Sequence, residues 1–337
     1  MTDTELLRFI TTEDKEETGE LFSRARAVRE QHYGKAVYFR GLIEFTNYCK
    51  NDCYYCGIRC GNMKVRRYRL SLEQILRCCA AGDMMGFKTF VLQGGEDPYY
   101  TEEHIREIVQ AIRRKFPYHA ITLSIGEWKR ESYEAFFRAG ANRYLMRHET
   151  ADGEHYARLH PTWQTLEARK QCLFDLRDIG YQVGSGFMVG SPFQKPQDLL
   201  EDLHFLQQLN PQMVGIGPFI PHADTPFAAY PAGTVELTLK MLALTRLLLP
   251  KTLLPATTAL GTIDPKGREK ALMAGANVVM PNLSPVGVRG LYTLYNNKIC
   301  TGEEAAECLL CMQGRIHSCG FVPDMGRGDS LVALKTP

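Results

Sequence analysis

Three cysteines carry the most specific chemistry in this chain. Cys49, Cys53 and Cys56 are spaced C-x3-C-x2-C within the stretch 40–61, RGLIEFTNYCKNDCYYCGIRCG. Leu42, Ile43, Phe45 and Thr46 are apolar or β-branched and read as a strand that breaks into a loop at Asn47. Three thiolates on one short loop can converge on a cube of iron and sulfide. Such a [4Fe–4S] cube takes four ligands, so one iron stays open for chemistry. Tyr55, just ahead of the last thiol, would cover the cluster edge and keep water off it. Zinc competes for the same thiolates, but it takes them in sets of four. No histidine lies between Ala36 and Glu103, and Cys60, which could complete a set, reads as a bystander. The expectation is a [4Fe–4S] cluster on Cys49, Cys53 and Cys56, with a non-enzymatic Fe–S or zinc carrier as the alternative.

Further polar residues gather at the ends of β-like runs. After Phe87–Gln93 comes Gly94-Gly95-Glu96-Asp97-Pro98. Paired glycines let a backbone approach a ligand and offer it N–H and C=O groups, although a tight turn uses them too. Ser124 and Glu127 follow the next run, and Arg147-His148-Glu149-Thr150 follows the apolar Tyr144-Leu145-Met146. Three ionisable residues in succession do not suit a core. Arg169 falls in a helical pattern, where a solvated face is the ordinary role. Met188 reads as wall packing, since methionine fills irregular apolar gaps, and His222, between Pro221 and Pro226, as part of a rigid loop. Thr257 and Thr258 could bond a polar substrate or their own backbone, and Met280-Pro281-Asn282 closes the series. Near the C-terminus Cys300, Cys308 and Cys311 are spaced C-x7-C-x2-C, with Cys319 beyond.

The elements that must position these residues alternate regularly. Helical periodicity fills 1–35, then helices are expected at 71–85, 102–115, 130–139, 164–178, 196–208, 234–248 and 265–274. Strands are expected at 42–46, 87–93, 120–125, 142–147, 181–189, 213–217, 253–258 and 277–280. Gly86, Gly140, Gly180 and Gly275 each stand between a helix and a strand, where glycine suits a left-handed cap. Eight strands alternating with helices predict an α/β chain closed as a complete (βα)8 TIM barrel, with chemistry at the C-terminal strand ends. An open doubly wound sheet is the other possibility, but no Gly-rich phosphate loop follows the first strand. The chain then divides into a helical extension (1–35), the barrel (36–285) and a cysteine-containing tail (286–337). Of its 337 residues 45% are hydrophobic and 23% charged, as in globular proteins, and a net charge of +2 makes no case for nucleic acid or membrane. Eleven cysteines behind an N-terminus without an export signal predict a reducing, cytoplasmic location.

These motifs together resemble the radical S-adenosylmethionine (SAM) superfamily, and within it the HydE-type family of [FeFe]-hydrogenase maturases. The likeness is carried by IEFTNYCKNDCYYCGIR (43–59), VLQGGEDPY (91–99), RHET (147–150), GIGPFIPHADTP (215–226) and PATTALGTI (255–263). It implies that SAM chelates the open iron of the [4Fe–4S] cluster, with Gly94, Gly95 and Glu96 around its amino group. Ser124, Glu149 and Arg169 would hold the rest of SAM. Glu149 matches its cationic part, and Arg169 can take its carboxylate bidentately. Met280 and Tyr292 would lie near the adenosyl group, and Arg147, Thr257, Thr258 and Tyr295 would face the substrate. The tail cysteines would carry an accessory [2Fe–2S] or [4Fe–4S] cluster, which some members have. The implied reaction cleaves SAM reductively to a 5′-deoxyadenosyl radical, acting on a small cysteine-ligated iron carbonyl cyanide substrate. The implied partners are an electron donor of the ferredoxin or flavodoxin class and the other hydrogenase maturases. Biotin-synthase-like sulfur insertion and a pyrrolysine-type mutase share the barrel and cluster and stand as alternatives.

Overall fold

The computed structural model describes residues 1–302 and 305–334. Helices α1 (Asp3–Thr11) and α2 (Lys15–Tyr33) precede strands β1 (Ala36–Phe39) and β2 (Gly41–Thr46). Then come α3 (Leu72–Met84), β3 (Thr89–Gly94), α4 (Glu102–Lys115), β4 (Ala120–Ser124), α5 (Arg130–Ala139) and β5 (Arg143–Leu145). The next are α6 (Gly153–Leu159), α7 (Leu166–Ile179), β6 (Gln182–Ser185), β7 (Met188–Val189), α8 (Pro196–Leu209), β8 (Met213–Val214) and β9 (Gly217–Pro218). The chain ends with α9 (Val235–Leu248), α10 (Thr258–Ile263), α11 (Gly267–Met273), β10 (Val278–Val279), α12 (Val286–Arg289), α13 (Ala305–Ser318) and β11 (Val322–Asp324).

This is an α/β fold around a parallel sheet. Six strands pair in the order β2-β3-β4-β5-β6-β8, every neighbour parallel. Single parallel bridges join Met213 to Leu253, Pro255 to Val278 and Asn282 to Leu42. The seventh expected strand, 253–258, therefore survives only as pairing at Leu253 and Pro255. Proline has no N–H to give a ladder, and Thr258 already begins α10. The expected strands 181–189 and 213–217 are each interrupted, and their outer ends pair separately as β7 with β9. β1 lies between β10 and β11 in a small parallel sheet.

The helices start and stop where their sequences dictate. Ser71, with Gln74 three residues on, forms a capping box for α3. Gly140 and Gly180 end α5 and α7 with φ of 117° and 105°, the left-handed caps expected of glycine there. One face of α4 buries Ile105, Ile108, Val109 and Ile112 while its charged face stays outside. Fully burying each such side chain stabilises the fold by about 1.5–3 kcal/mol. The N-terminal helices pack Leu6, Phe9, Ile10, Leu21 and Ala25 into the same core. Among the described residues no helix is long and apolar enough to cross a membrane.

Candidate active site

The loop after β2 has little regular structure and is held by side-chain hydrogen bonds. Asn47 Nδ2 donates to the carbonyls of Arg66 and Leu291, at 3.0 and 2.8 Å, and its Oδ1 accepts from Tyr68 N at 2.8 Å. The Arg67 guanidinium donates to the carbonyls of Asn47, Ile58 and Arg59 at 2.5–2.7 Å. Cys49, Cys53 and Cys56 are partly exposed on this loop and border a cavity of about 320 Å³. Burial, with the neighbouring thiols adding to it, pushes Cys53 up to about 12 and Cys56 well above the usual thiol range. Thiols that resist ionising alone become thiolates by binding metal. Among the described residues no three His, Cys, Asp or Glu are placed to hold a single metal ion. Ligands of a cube each take a different iron and need not meet at one point.

The rest of the cavity wall comes from strand ends. Gly94, at the end of β3, and Gly95 and Glu96 just after it line the cavity, and the fit of Gly95 is tight. A Cβ there would lie 2.2 Å from Tyr48 O and 2.7 Å from Cys49 Cβ, so glycine lets this loop lie against the cysteine loop. Ser124 lines the cavity at the end of β4, in register with Gln93. After β5, Glu149 adopts a left-handed φ of 68°, uncommon outside glycine, fixed by Glu149 N to Gly186 O at 3.1 Å and Met188 N to Glu149 O at 3.0 Å. Behind it the fully buried His148 shares hydrogen bonds with Ser185 Oγ (2.9 Å) and Asp202 Oδ1 (3.1 Å).

Two arginines face this space with donors unused. Arg147 Nη2 lies 2.9 Å from Glu149 Oε2, and Arg169 Nε lies 3.0 Å from Glu127 Oε1. Neither contact has hydrogen-bond geometry. Arg147 Nε and Nη2, Arg169 Nε and Thr257 Oγ1 are buried with no hydrogen-bond partner among the described residues. Burial opposes the Arg169 charge, but Glu127 and other acidic neighbours outweigh it and hold the guanidinium charged. Burial of Glu127 raises its carboxyl in turn. Soft thiol donors and orphaned guanidinium and hydroxyl groups around one cavity fit a cluster together with a ligand bearing a carboxylate.

Most of the expected residues meet here. Cys49, Cys53, Cys56, Gly94, Gly95, Glu96, Ser124, Arg147, Glu149, Arg169, Thr257, Met280 and Tyr292 all line the one cavity. Tyr55 does not; its hydroxyl bonds His160 Nε2 at 3.1 Å and its ring meets the His160 ring edge-on, with centroids 5.4 Å apart. Thr258 opens α10, and Tyr295 is not among the lining residues; burial raises its hydroxyl to about 12. Motif and spacing assign no role to Gln93, whose Nε2 donates to Tyr292 Oη at 3.3 Å, or to Glu127. Gln93 directly precedes the glycine pair, and that position was the available signal. Tyr292 is also fixed from behind: Lys298 Nζ reaches its carbonyl (2.9 Å) and buried Glu44 (2.5 Å).

In the tail, Cys308 and Cys311 stand one turn apart on α13, and Cys300 precedes it. All three border a second cavity, of about 460 Å³, together with Arg268 and Arg315. Cys319 is not among its lining residues.

Comparison with known proteins gives the family of the chain. Residues 43–206 match the family model of the radical SAM superfamily. The [FeFe] hydrogenase maturase subunit HydE of Thermotoga maritima is 48% identical over 303 residues, covering 90% of this chain and 86% of that protein. The 3-methylornithine synthase of Methanosarcina acetivorans is 33% identical, covering 83% of this chain and 79% of that protein. Among solved structures, methylornithine synthase (PylB) superposes with a TM-score of 0.86 at 28% identity, over 96% of this chain and 94% of that one. HydG, a maturase of the [FeFe]-hydrogenase, shares the fold with a TM-score of 0.81 at 20% identity, over 96% of this chain and 72% of that one. A family that takes a [4Fe–4S] cluster and SAM accounts for both the thiols and the orphaned guanidinium groups, and the chain belongs to the radical SAM superfamily as an enzyme of the HydE type.

Proposed function

We propose that this enzyme acts in maturation of the [FeFe]-hydrogenase active-site cluster, on a small cysteine-ligated iron carbonyl cyanide substrate. The observation that carries the reading is one cavity lined by the three thiols together with Arg147, Glu149 and Arg169. Cys49, Cys53 and Cys56 would hold the cluster, and Ser124, Glu149, Arg169 and the Gly94–Glu96 backbone would hold SAM. Met280 and Tyr292 would flank the adenosyl group. Bound there, cluster and SAM together supply a 5′-deoxyadenosyl radical by one-electron reductive cleavage, the electron coming from a donor of the ferredoxin or flavodoxin class. The chain's own part is to orient and to exclude water: the buried Tyr292, 2% exposed, lines the cavity, and Thr257 and Arg147 would face the substrate. The wall would be a complete eight-stranded barrel, an inference supported by the three single bridges around residues 253–255 and at Asn282. The domain division into 1–35, 36–285 and 286–337 goes with this reading. Residues 303, 304 and 335–337 of the tail lie outside the described residues. An accessory [2Fe–2S] or [4Fe–4S] cluster at Cys300, Cys308 and Cys311 is supported by their shared cavity. The cytoplasm, with the other maturases as partners, is the setting this function requires.

Anaerobic reconstitution tests the reading. The protein should bind about four irons at the first loop and, with a low-potential reductant, release methionine and 5′-deoxyadenosine from SAM. Cys49→Ala, Cys53→Ala or Cys56→Ala should abolish both. Bound zinc without iron-dependent cleavage of SAM would sink it. Added to apo-hydrogenase with the other maturases, the enzyme should restore hydrogen production. The 33% identity to 3-methylornithine synthase favours a second reading as a mutase. Formation of 3-methylornithine, with no effect on hydrogenase, would select it.

A further inference from the structure

We propose that Gln164 tunes the cluster at Cys49, Cys53 and Cys56, donating an amide hydrogen bond to the Cys53 sulfur and so making the cluster easier to reduce. The proposal rests on the cluster reading above. Gln164 Oε1 lies 3.5 Å from Cys53 Sγ, and Gln164 Nε2 is buried with no hydrogen-bond partner among the described residues. The side chain is delivered by a turn in which Gln164 N donates to Pro161 O at 3.0 Å. The next residue, Thr165, caps α7 by accepting from Ala168 N at 3.2 Å. One segment therefore carries Gln164 to the thiol and Arg169 to the cavity.

The chemistry of the contact changes when iron binds. A Cys53 thiol can donate its proton to Oε1, but a thiolate on iron has none and becomes an acceptor. Rotating the carboxamide by a half turn exchanges Oε1 for Nε2, and this torsion is soft and roughly two-fold. The turn gives a buried, unpaired donor an acceptor, which removes a desolvation penalty. Hydrogen bonds to cluster sulfurs set reduction potentials, because the bond strengthens as the cluster gains negative charge.

The test uses the reconstituted full chain and reads the potential rather than turnover. Gln164→Leu removes the donor, and Gln164→Glu keeps the size but offers only an acceptor with like charge. Both should load iron as the parent does. In a redox titration followed by electron paramagnetic resonance, Gln164→Leu should shift the midpoint negative by about 59 mV, a tenfold smaller equilibrium constant for one-electron reduction. Gln164→Glu should shift it further in the same direction. If Gln164→Leu fails to load iron, Gln164→Glu carries the comparison. A loaded variant with the parent's midpoint overturns the proposal. A parent that binds no cluster at the first loop instead removes the reading beneath it.

Discussion

At the scale of single residues, the grip on SAM is the sharpest expectation. Arg169 is 7% exposed, and its Nε lies beside Glu127 without hydrogen-bond geometry, so a ligand carboxylate can take it over. A charge-assisted hydrogen bond contributes about 1.5–3 kcal/mol. At about 1.4 kcal/mol per tenfold, Arg169→Ala should weaken SAM binding by roughly ten- to a hundredfold while leaving iron content unchanged. Arg169→Lys should rescue only part, because it offers a point charge in place of a planar fork. Anaerobic titration of SAM into the reconstituted variants measures this, and parental affinity in Arg169→Ala would take the residue out of the site.

At the scale of elements, the connection from α6 to α7 is the cover over the cysteine loop. His160 Nδ1 donates to Tyr156 O at 3.0 Å, and Nε2 accepts from Tyr55 Oη at 3.1 Å, so the ring sits neutral between them. Burial, with the Arg169 charge nearby, lowers His160 from 6.5 to about 3. An unfolded chain protonates this ring as pH drops below 6.5, while the folded one does not. The stabilisation is therefore fully present above that value and is lost as pH falls toward 3. Within that window the loss runs at about 1.4 kcal/mol per pH unit. Urea unfolding of metal-free protein between neutral and mildly acidic pH should show a shallower fall for His160→Gln than for the parent. Parallel curves would exclude His160 as the source.

At the scale of the whole molecule, the C-terminal chain serves both ends of the fold. Residues 291–298 roof the cavity through Tyr292 and Leu294, with Gly57 N donating to Leu294 O at 2.8 Å. Further on, the chain passes beneath the opposite end, where Asp329 Oδ1 meets Arg143 at 2.7 Å and Gln182 at 2.8 Å. Arg143 is 2% exposed, so Asp329→Ala strips a buried guanidinium of its counter-charge. The cost should be about 1.5–3 kcal/mol, read as a lower urea midpoint at unchanged slope. SAM affinity should not move, since the pair lies at the far end from the thiols. The tail cavity gives a second separation. If an accessory cluster sits there, the triple alanine variant at Cys300, Cys308 and Cys311 should bind less iron than the parent yet keep SAM cleavage. A folded triple variant with an intact first cluster and no cleavage would tie that site to catalysis.

What the sequence determined by itself was local. The C-x3-C-x2-C spacing, the apolar run before it, the capping box at Ser71 and the glycines at 140 and 180 each act within a few residues, so pattern and composition reveal them. The placement of polar residues at strand ends followed, because a parallel α/β chain puts all those ends on one side. Other features depended on which distant segments touch. The pattern at 253–258 reads as a strand, but Pro255 and the start of α10 leave only isolated bridges there. β1 pairs with β11 across nearly the whole chain, and nothing local signals it. Helical periodicity assigned Arg169 to a solvated face. Only the cap at Thr165 and the docking of α7 turned it inward, onto Glu127 and beside a glutamine that reaches the cysteine loop. Spacing along the chain can name the groups able to do chemistry. Which of them are left buried with unpaired donors is decided by how sheet, helices and loops pack together, since burial and pairing are properties of the packed whole.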